Sequence, residues 1–253
     1  MLGIKYTIAI CVITALLVLW YLYTQDHSSD AHHFLSDPIS TVKYLTNNYL
    51  PLLKDTSNTL KEILGGGLIA VLLSFIFMCI CIVYPNFLGK IKPIVVVSQI
   101  IPIIVFYPIF MVLFGIGLMS NIAMVALMCF FPMFVNFATG IENIPENVHS
   151  LLYMYNTKKS FSIFKVIIPL SAPYIFSALK ITVTMAIMGA IVAEFTSGLH
   201  GLGFDLYNAK RKSMPELLMS SVFIIISIGF ILYSIIEFFE RKIGHWYIKQ
   251  KEN

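Results

Sequence analysis

Apolar residues in this chain run in long blocks instead of alternating as in a half-buried strand or recurring as the narrow stripe of a surface helix. Six blocks are long enough to cross a bilayer, at about 6–23, 63–84, 94–113, 122–141, 173–195 and 217–239. Hydrocarbon about 30 Å thick needs roughly 20 residues at about 1.5 Å each. Lipid cannot satisfy open backbone groups, so each block is predicted to be a helix. The pattern predicts an all-α membrane protein with a single transmembrane domain of about six helices. The first block ends in Trp20, Tyr21 and Tyr23 without a small-residue cleavage pattern, so it is expected to be an uncleaved first span.

The polar segments between the blocks are unequal. The stretch from Thr24 to Glu62 carries Pro38 and Pro51, and its mixed middle, Thr41 to Leu53, is expected to lie along the outer interface. A second long segment, Glu142 to Ile168, separates the fourth and fifth blocks. Lys5, Lys90, Lys92, Lys158, Lys159, Lys165, Arg241, Lys242, Lys249 and Lys251 all fall on one side of the predicted membrane, which the positive-inside rule makes the cytoplasm. Both termini are then cytoplasmic. Lys43, Lys54 and Lys61, diluted by five acids, and Lys210, Arg211 and Lys212 fall on the other side and oppose the bias.

Composition agrees with a chain whose solvent is lipid: of 253 residues 58% are hydrophobic and 12% charged, with a mean hydropathy of +0.84. The net charge of +4 sits in short clusters between apolar blocks, so a bilayer accounts for it and nucleic acid is not an expected partner. Cys11, Cys79, Cys81 and Cys129 all lie in apolar stretches and suggest neither a disulfide framework nor a zinc site. His27, His32 and His33 lack a companion ligand at helical spacing, so no metal is expected. Gly65 to Gly67 are followed by no Lys-Ser or Lys-Thr and cannot form a phosphate loop. No catalytic constellation is present and no cofactor is expected on this chain.

The cytoplasmic segment reads as two short helices. Pro145 and Glu146 suit a helix start, and Val148, Leu151, Leu152 and Tyr155 form one apolar face that needs a cover, either a partner protein or lipid headgroups. After Asn156 and Thr157, a second stretch with Phe161, Ile163, Phe164 and Val166 ends at Pro169. In the third block Pro102 and Pro108 remove backbone donors, giving a gate or a simple bend. In the fifth, Ser177, Ala186, Gly189, Ala190 and Ala193 permit close helix approach, and Glu194 is expected to face inward for hydrogen bonding or gating. Lys180 either snorkels to the headgroups or lines a pathway, and Gln99 and Asn136 either bond a neighbouring helix or line one.

Several separated segments carry a family likeness. Gln99 to Pro102, Tyr107-Pro108 and Phe114 to Gly117, then Val192-Ala193-Glu194-Phe195 with the Gly-rich turn Ser197 to Gly203, and Leu35-Ser36-Asp37-Pro38, resemble the permeases of type I ATP-binding-cassette importers, in the branch serving nitrate, sulfonates and taurine. The likeness runs from about Leu35 to Trp246. It implies a MetI-like permease fold with a cytoplasmic coupling helix. Counting back from Pro169, the family's Glu-Ala-Ala triplet falls on Ser150, Leu151 and Leu152 and its Gly on Asn156, so the chain departs from the pattern at all of these positions.

The resemblance implies ATPase coupling through Pro145, Glu146, Val148, Ser150, Leu151, Leu152, Tyr155 and Asn156. It also makes Gln99, Pro102, Tyr107, Pro108, Asn136, Lys180 and Glu194 pathway or gate candidates. The implied partners are a cytoplasmic ATPase dimer that holds ATP and Mg, a second identical or homologous permease subunit, an extracytoplasmic solute-binding protein and the bilayer of a bacterial inner membrane. A channel or secondary transporter working without ATP is the alternative, and an intramembrane enzyme the more distant one.

Overall fold

The computed structural model describes residues 18–24 and 35–243. Most of the predicted first span, 6–23, lies outside the described residues. Among the described residues there is no strand. Helix α1, Pro38–Asn47, starts where Asp37 Oδ2 accepts the Ser40 amide at 3.1 Å, with Pro38 in the first turn where a missing donor costs nothing. Helix α2, Tyr49–Val83, follows at once and runs unbroken for 35 residues. The predicted second span is therefore the distal part of a longer helix, and the expectation of an outer loop running to Glu62 is corrected, since its last part is the start of α2. Pro51 falls in the first turn of α2, where it does not interrupt the hydrogen-bond ladder.

The third predicted span is bent at the prolines, as the gate-or-bend expectation had it, and the bend divides it into separate helices. Helix α3, Pro85–Ser98, and the pair formed by a tight turn, Ile103–Phe106, with α4, Tyr107–Phe114, meet at 89°. Pro102 supplies the reason: it has no amide to continue the ladder and disfavours helical geometry at Ile101. Gly115 and Gly117, with φ of 78° and 141°, reverse the chain into α5, Leu118–Glu142. Helix α6, Glu146–Met154, leads into a wide-turned segment, Ser162–Ile167, whose Ile163 and Ile167 are buried. Helix α7, Ala172–Ser197, ends at Gly198 in the left-handed region. Helices α8, Leu202–Arg211, and α9, Pro215–Ile243, complete the chain.

Helices α2, α5, α7 and α9 are long and apolar enough to cross a membrane, and the bent α3 and α4 pair passes the same criterion together. The bundle is organised around α5, with α2 on one side and α7 on the other. Val125 is the point of closest approach. A Cβ on Gly66 of α2 would sit 2.5 Å from Val125 Cβ, and one on Gly189 of α7 would sit 3.1 Å from Val125 Cα. Ala186, Ala190 and Ala193 continue the thin face of α7 and are buried. Small side chains let backbones approach and gain dispersion contacts, which substitute for a hydrophobic driving force that lipid does not provide.

Below this contact, toward α6, Met78, Met133, Phe134 and Phe137 fill a bulky core cluster. In contrast, Ile100 and Val112 on the bent pair are 78% and 86% exposed, the apolar surface of a body surrounded by lipid or by another subunit. Replacing Gly66 by Ala is expected to force α2 off α5 and to lower stability in detergent by about 1–3 kcal/mol. Gly67→Ala, where no atom lies within 4 Å of the added carbon, is expected to be neutral. Thermal unfolding of the two variants side by side checks this; equal midpoints would contradict the packing.

Candidate functional site

At the end of the bundle opposite α6, polar side chains converge inside the helices. Asp55, Thr59 and Glu62 follow one another along a single face of α2. They meet Glu194 from the last turn of α7, Asn121 from the first turn of α5 and Tyr107 from the start of α4. Thr59, Glu62, Glu194 and Tyr107 are fully buried. The Tyr107 hydroxyl donates to Asn121 Oδ1 at 2.5 Å, and Asn121 Nδ2 donates to Glu62 Oε1 at 2.7 Å. The Glu62 and Glu194 carboxyls face one another across the α2 and α7 contact.

The same groups grip the start of α8. The amides of Gly201, Leu202 and Gly203 have no carbonyl of their own helix to bond, as at any helix N-terminus. Gly201 donates to Asp55 Oδ1 at 3.0 Å, Leu202 to Thr59 Oγ1 at 2.9 Å and Gly203 to Glu194 Oε2 at 2.7 Å. Thr59 in turn donates to Glu194 Oε1 at 2.5 Å. Glycine is required twice. Gly201 has φ of 107° and lies against the Glu194 carboxylate, and a Cβ on Gly203 would fall 2.5 Å from the Ile191 carbonyl. Carboxylates at a helix N-terminus also meet the positive end of its dipole. The arrangement is a clasp: two helices hold the turn between α7 and α8 by consecutive backbone amides.

Beyond the clasp, and outside the membrane-spanning helices, Asp205 of α8 is half-buried with Oδ2 sealed from solvent and without a hydrogen-bond partner among the described residues. Burial, reinforced by the Asp55 charge, pushes its carboxyl up to about 7. Tyr44 of α1 is raised for the same reason, with the charges of Asp205 and Glu216 adding to its burial.

The opposite end carries the segment singled out by its apolar face. Pro145 caps α6 and Glu146 lies in its first turn. Val148 turns inward to the core cluster. Leu152 lines a cavity of about 440 Å³ between α6 and the bundle, beside Cys81, Leu88 and Ile167. Ser150, Leu151, Tyr155 and Asn156 are exposed, and Asn156 takes φ of 46° to end the helix. The predicted single face is thus divided between core and solvent. Tyr153 and Met154, 88% and 78% exposed, join Leu151 and Tyr155 in an apolar tip. They were missed because they do not fall on the helical stripe that begins at Val148.

Of the pathway candidates, the structure brings together Tyr107 and Glu194 and separates the rest. Gln99 and Pro102 are exposed at the break after α3 and Pro108 is exposed in the first turn of α4, so Gln99 does not sit inside a continuous span as expected. Asn136 Nδ2 donates to the Pro132 carbonyl of its own helix at 2.8 Å. Lys180 pairs with Glu240 of α9 at 2.5 Å and lies over the Tyr233 ring, an ion pair between two helices. Glu62, Asn121, Thr59 and Asp55 were not singled out from sequence. The spacing of Asp55, Thr59 and Glu62 would have marked one helical face had α2 been extended upstream of Ile63. Among the described residues no group of metal-ligating side chains is present.

Residues 87–245 match the protein family described as binding-protein-dependent transport system inner membrane components. Over 226 residues the chain is 29% identical to a probable ABC transporter permease protein of Haemophilus influenzae, covering 88% of this chain and 90% of that one. It is 29% identical over 162 residues to a formylaminopyrimidine transport permease protein of Halalkalibacterium halodurans, covering 62% of this chain and 63% of the relative. It is 27% identical over 146 residues to a putative aliphatic sulfonates transport permease protein of Bacillus subtilis, covering 58% and 53% respectively.

Glu194→Ala removes the acceptor of Gly203 and of Thr59 at once. Amide hydrogen exchange across 199–205 is expected to rise at least tenfold in this variant, whereas Glu194→Gln, which keeps an acceptor oxygen, is expected to raise it less. Unchanged exchange in the alanine variant would contradict the clasp. For Asp205, the folded value of about 7 lies above the ordinary 3.8, so the folded state binds the proton more tightly. Its stability contribution is fully present below about pH 4 and is lost as pH rises toward 7 and beyond. Stability is expected to fall between about pH 4 and pH 7, and Asp205→Asn is expected to flatten that part of the profile, as thermal unfolding in detergent would record.

Proposed function

We propose, since the chain belongs to the family of binding-protein-dependent transport system inner membrane components, that it is the membrane-spanning subunit of an ATP-driven importer and couples to its ATPase through α6. The exposed apolar tip, Leu151, Tyr153, Met154 and Tyr155, carries this reading. It lies on the short helix between α5 and α7, which is tied to the bundle by Val148 and Leu152. Such a helix can transmit a displacement because its inner side is fixed in the core while its outer side is free to seat in a partner.

In this reading α6 faces the cytoplasm and both termini lie on the same side, in accord with Lys90, Lys92, Lys158, Lys159 and Lys165 around it. Gly65 and Gly66 are interior to α2, and Gly66 is closed against Val125, so this glycine run does not form a phosphate loop. ATP and Mg belong to a dimeric cytoplasmic partner. ATP shifts the pathway only if the closed ATPase dimer prefers one spacing of two α6 helices over another. Two permease subunits, identical or homologous, would therefore form the pathway at their shared surface, with a binding protein delivering solute from outside. Family membership disfavours the ATP-independent channel.

The names of relatives at similar identity point to different cargoes, among them formylaminopyrimidine and aliphatic sulfonates. A small polar solute of the nitrate, sulfonate and taurine class is the cargo favoured by the family branch. Selection among such solutes belongs to the binding protein in this reading.

The tagged chain, purified in mild detergent from its native membranes, is expected to bring a stoichiometric ATPase. Tyr153→Asp and Tyr155→Asp, at exposed positions, are expected to lose that ATPase without lowering the stability of the chain. Leu152→Asp is expected to lower stability as well, because it places a charge in the cavity under α6. A chain that purifies alone and transports solute in proteoliposomes without ATP would overturn the proposal.

A further inference from the structure

One oxygen of the clasp has no partner. Glu62 is 0% exposed, and its Oε2 is sealed from solvent without a hydrogen bond. Its other oxygen is committed. The Tyr107 hydroxyl donates to Asn121 Oδ1, which leaves Nδ2 of the same amide to donate to Glu62 Oε1. Glu194, also 0% exposed, is supplied differently. Its Oε1 accepts from Thr59 and its Oε2 from the Gly203 amide. Two buried carboxyls thus face one another with the donors unequally shared between them.

No cation offsets the pair. Among the described residues neither glutamate takes part in an ion pair. The groups that face it from the surrounding elements are neutral or acidic: Asp55 and Thr59 from α2, Tyr107 from α4, Asn121 from α5 and the amides at the start of α8. Beyond Asp55 lie Asp205 of α8 and, across Tyr44, Glu216 of α9, so the more distant charges are negative too. Lys61, next to Glu62 in sequence, is exposed. His200, next to Gly201, makes no hydrogen bond to either glutamate among the described residues.

Two like charges enclosed together without a counter-ion cannot both persist, so one of the two carboxyls is a neutral acid. Hydrogen bonding decides which. A proton on Glu194 would stand against the Thr59 hydroxyl or the Gly203 amide, donor against donor. On Glu62 Oε2 it gives the orphaned atom an O–H to donate, and the ionised carboxyl of Glu194 is the acceptor in front of it.

We propose that Glu62 and Glu194 form a binding site for a single proton, carried by Glu62, and that this proton latches α2 to α7. While it is bound, α2 donates to Glu194 twice, through Thr59 and through Glu62. Once it is lost, the two helices oppose like charges across their contact. Glu62 is a positioning residue in this scheme, and the latch is a pH-sensitive device built into the clasp. A proton held by the folded chain and not by the unfolded one contributes stability that is lost as pH rises. The inference rests on the clasp geometry and is independent of the transport reading.

The full chain in detergent is the material for the test, in an Asp205→Asn background that removes the other titrating carboxyl of this end. Infrared spectroscopy near neutral pH is expected to show the C=O stretch of a protonated, slowly exchanging carboxyl, and Glu62→Gln is expected to lose it. Glutamine keeps the shape and replaces the O–H donor by an N–H donor. Its unfolding midpoint is therefore expected within about 2 °C of the parent at mildly acidic pH and above the parent at alkaline pH, where the parent gives up its proton. Glu194→Gln sets an amide against existing donors and is expected to lower the midpoint by at least about 4 °C at both. Absence of the band from the parent would overturn the proposal. So would a band that survives in Glu62→Gln and disappears in Glu194→Gln, which would put the proton on the other residue. A Glu62→Gln chain that fails to fold, or is as unstable as Glu194→Gln at mildly acidic pH, would show that Glu62 is needed as an anion and would also overturn it.

Discussion

The structure depends on how α2 and α7 are joined at the end remote from α6. Within a bilayer, apolar packing against another helix is little better than packing against lipid tails, so the relative position of two helices is fixed by close contact and by polar bonds. The Val125 contact supplies the first, through Gly66 and Gly189. The clasp supplies the second, with Thr59 of α2 bonded to Glu194 of α7 and both bonded to consecutive amides of the α8 turn. A buried carboxylate is costly unless its lone pairs are met, and Glu194 meets both oxygens with donors. Removing any one of these groups orphans another, so the residues of the clasp constrain one another strongly.

This geometry gives the two ends of the molecule different characters. The clasp end is tied by side chains to backbone, which holds a turn without asking for a particular loop sequence beyond Gly201 and Gly203. The α6 end is tied through apolar anchors, Val148 and Leu152, above a cavity bordered by Cys81 and Ile167. Two interhelical ion pairs, Lys92 with Glu142 and Lys180 with Glu240, lie toward this second end. On the proposed coupling role of α6, a clasped far end and a near end with an exposed tip are what a lever needs, because displacement of α6 would then be passed to α5 and α7.

Much of the fold was legible in the sequence. Long apolar blocks fixed the all-α membrane class, and small residues from Ala186 to Ala193 marked α7 as a central helix. The family followed from the proline-rich third block and from Ala193-Glu194-Phe195 with its Gly-rich turn. What was not legible has physical causes. Hydropathy reads the apolar part of α2 and stops at Glu62, because a charged residue looks like the edge of a span when its buried partners cannot be seen. Pro102 and Pro108 marked a bend in the third block, but an apolar count runs on through both arms and does not give its angle of 89°. Glu194 was expected to face inward, but its partner Thr59 is 135 positions away and no local periodicity connects them. Tyr153 and Met154 escaped because a stripe of apolar residues marks the side that is buried, whereas their importance lies in being exposed.

A double-mutant cycle across the clasp distinguishes a coupled network from a set of independent contacts. Thermal unfolding in detergent would be measured for wild type, Thr59→Ala, Glu194→Ala and the double variant. A coupling energy of at least about 1 kcal/mol between the two positions is expected, because each residue completes the hydrogen bonding of the other. Strictly additive effects would contradict it and would reduce the clasp to a set of independent contacts.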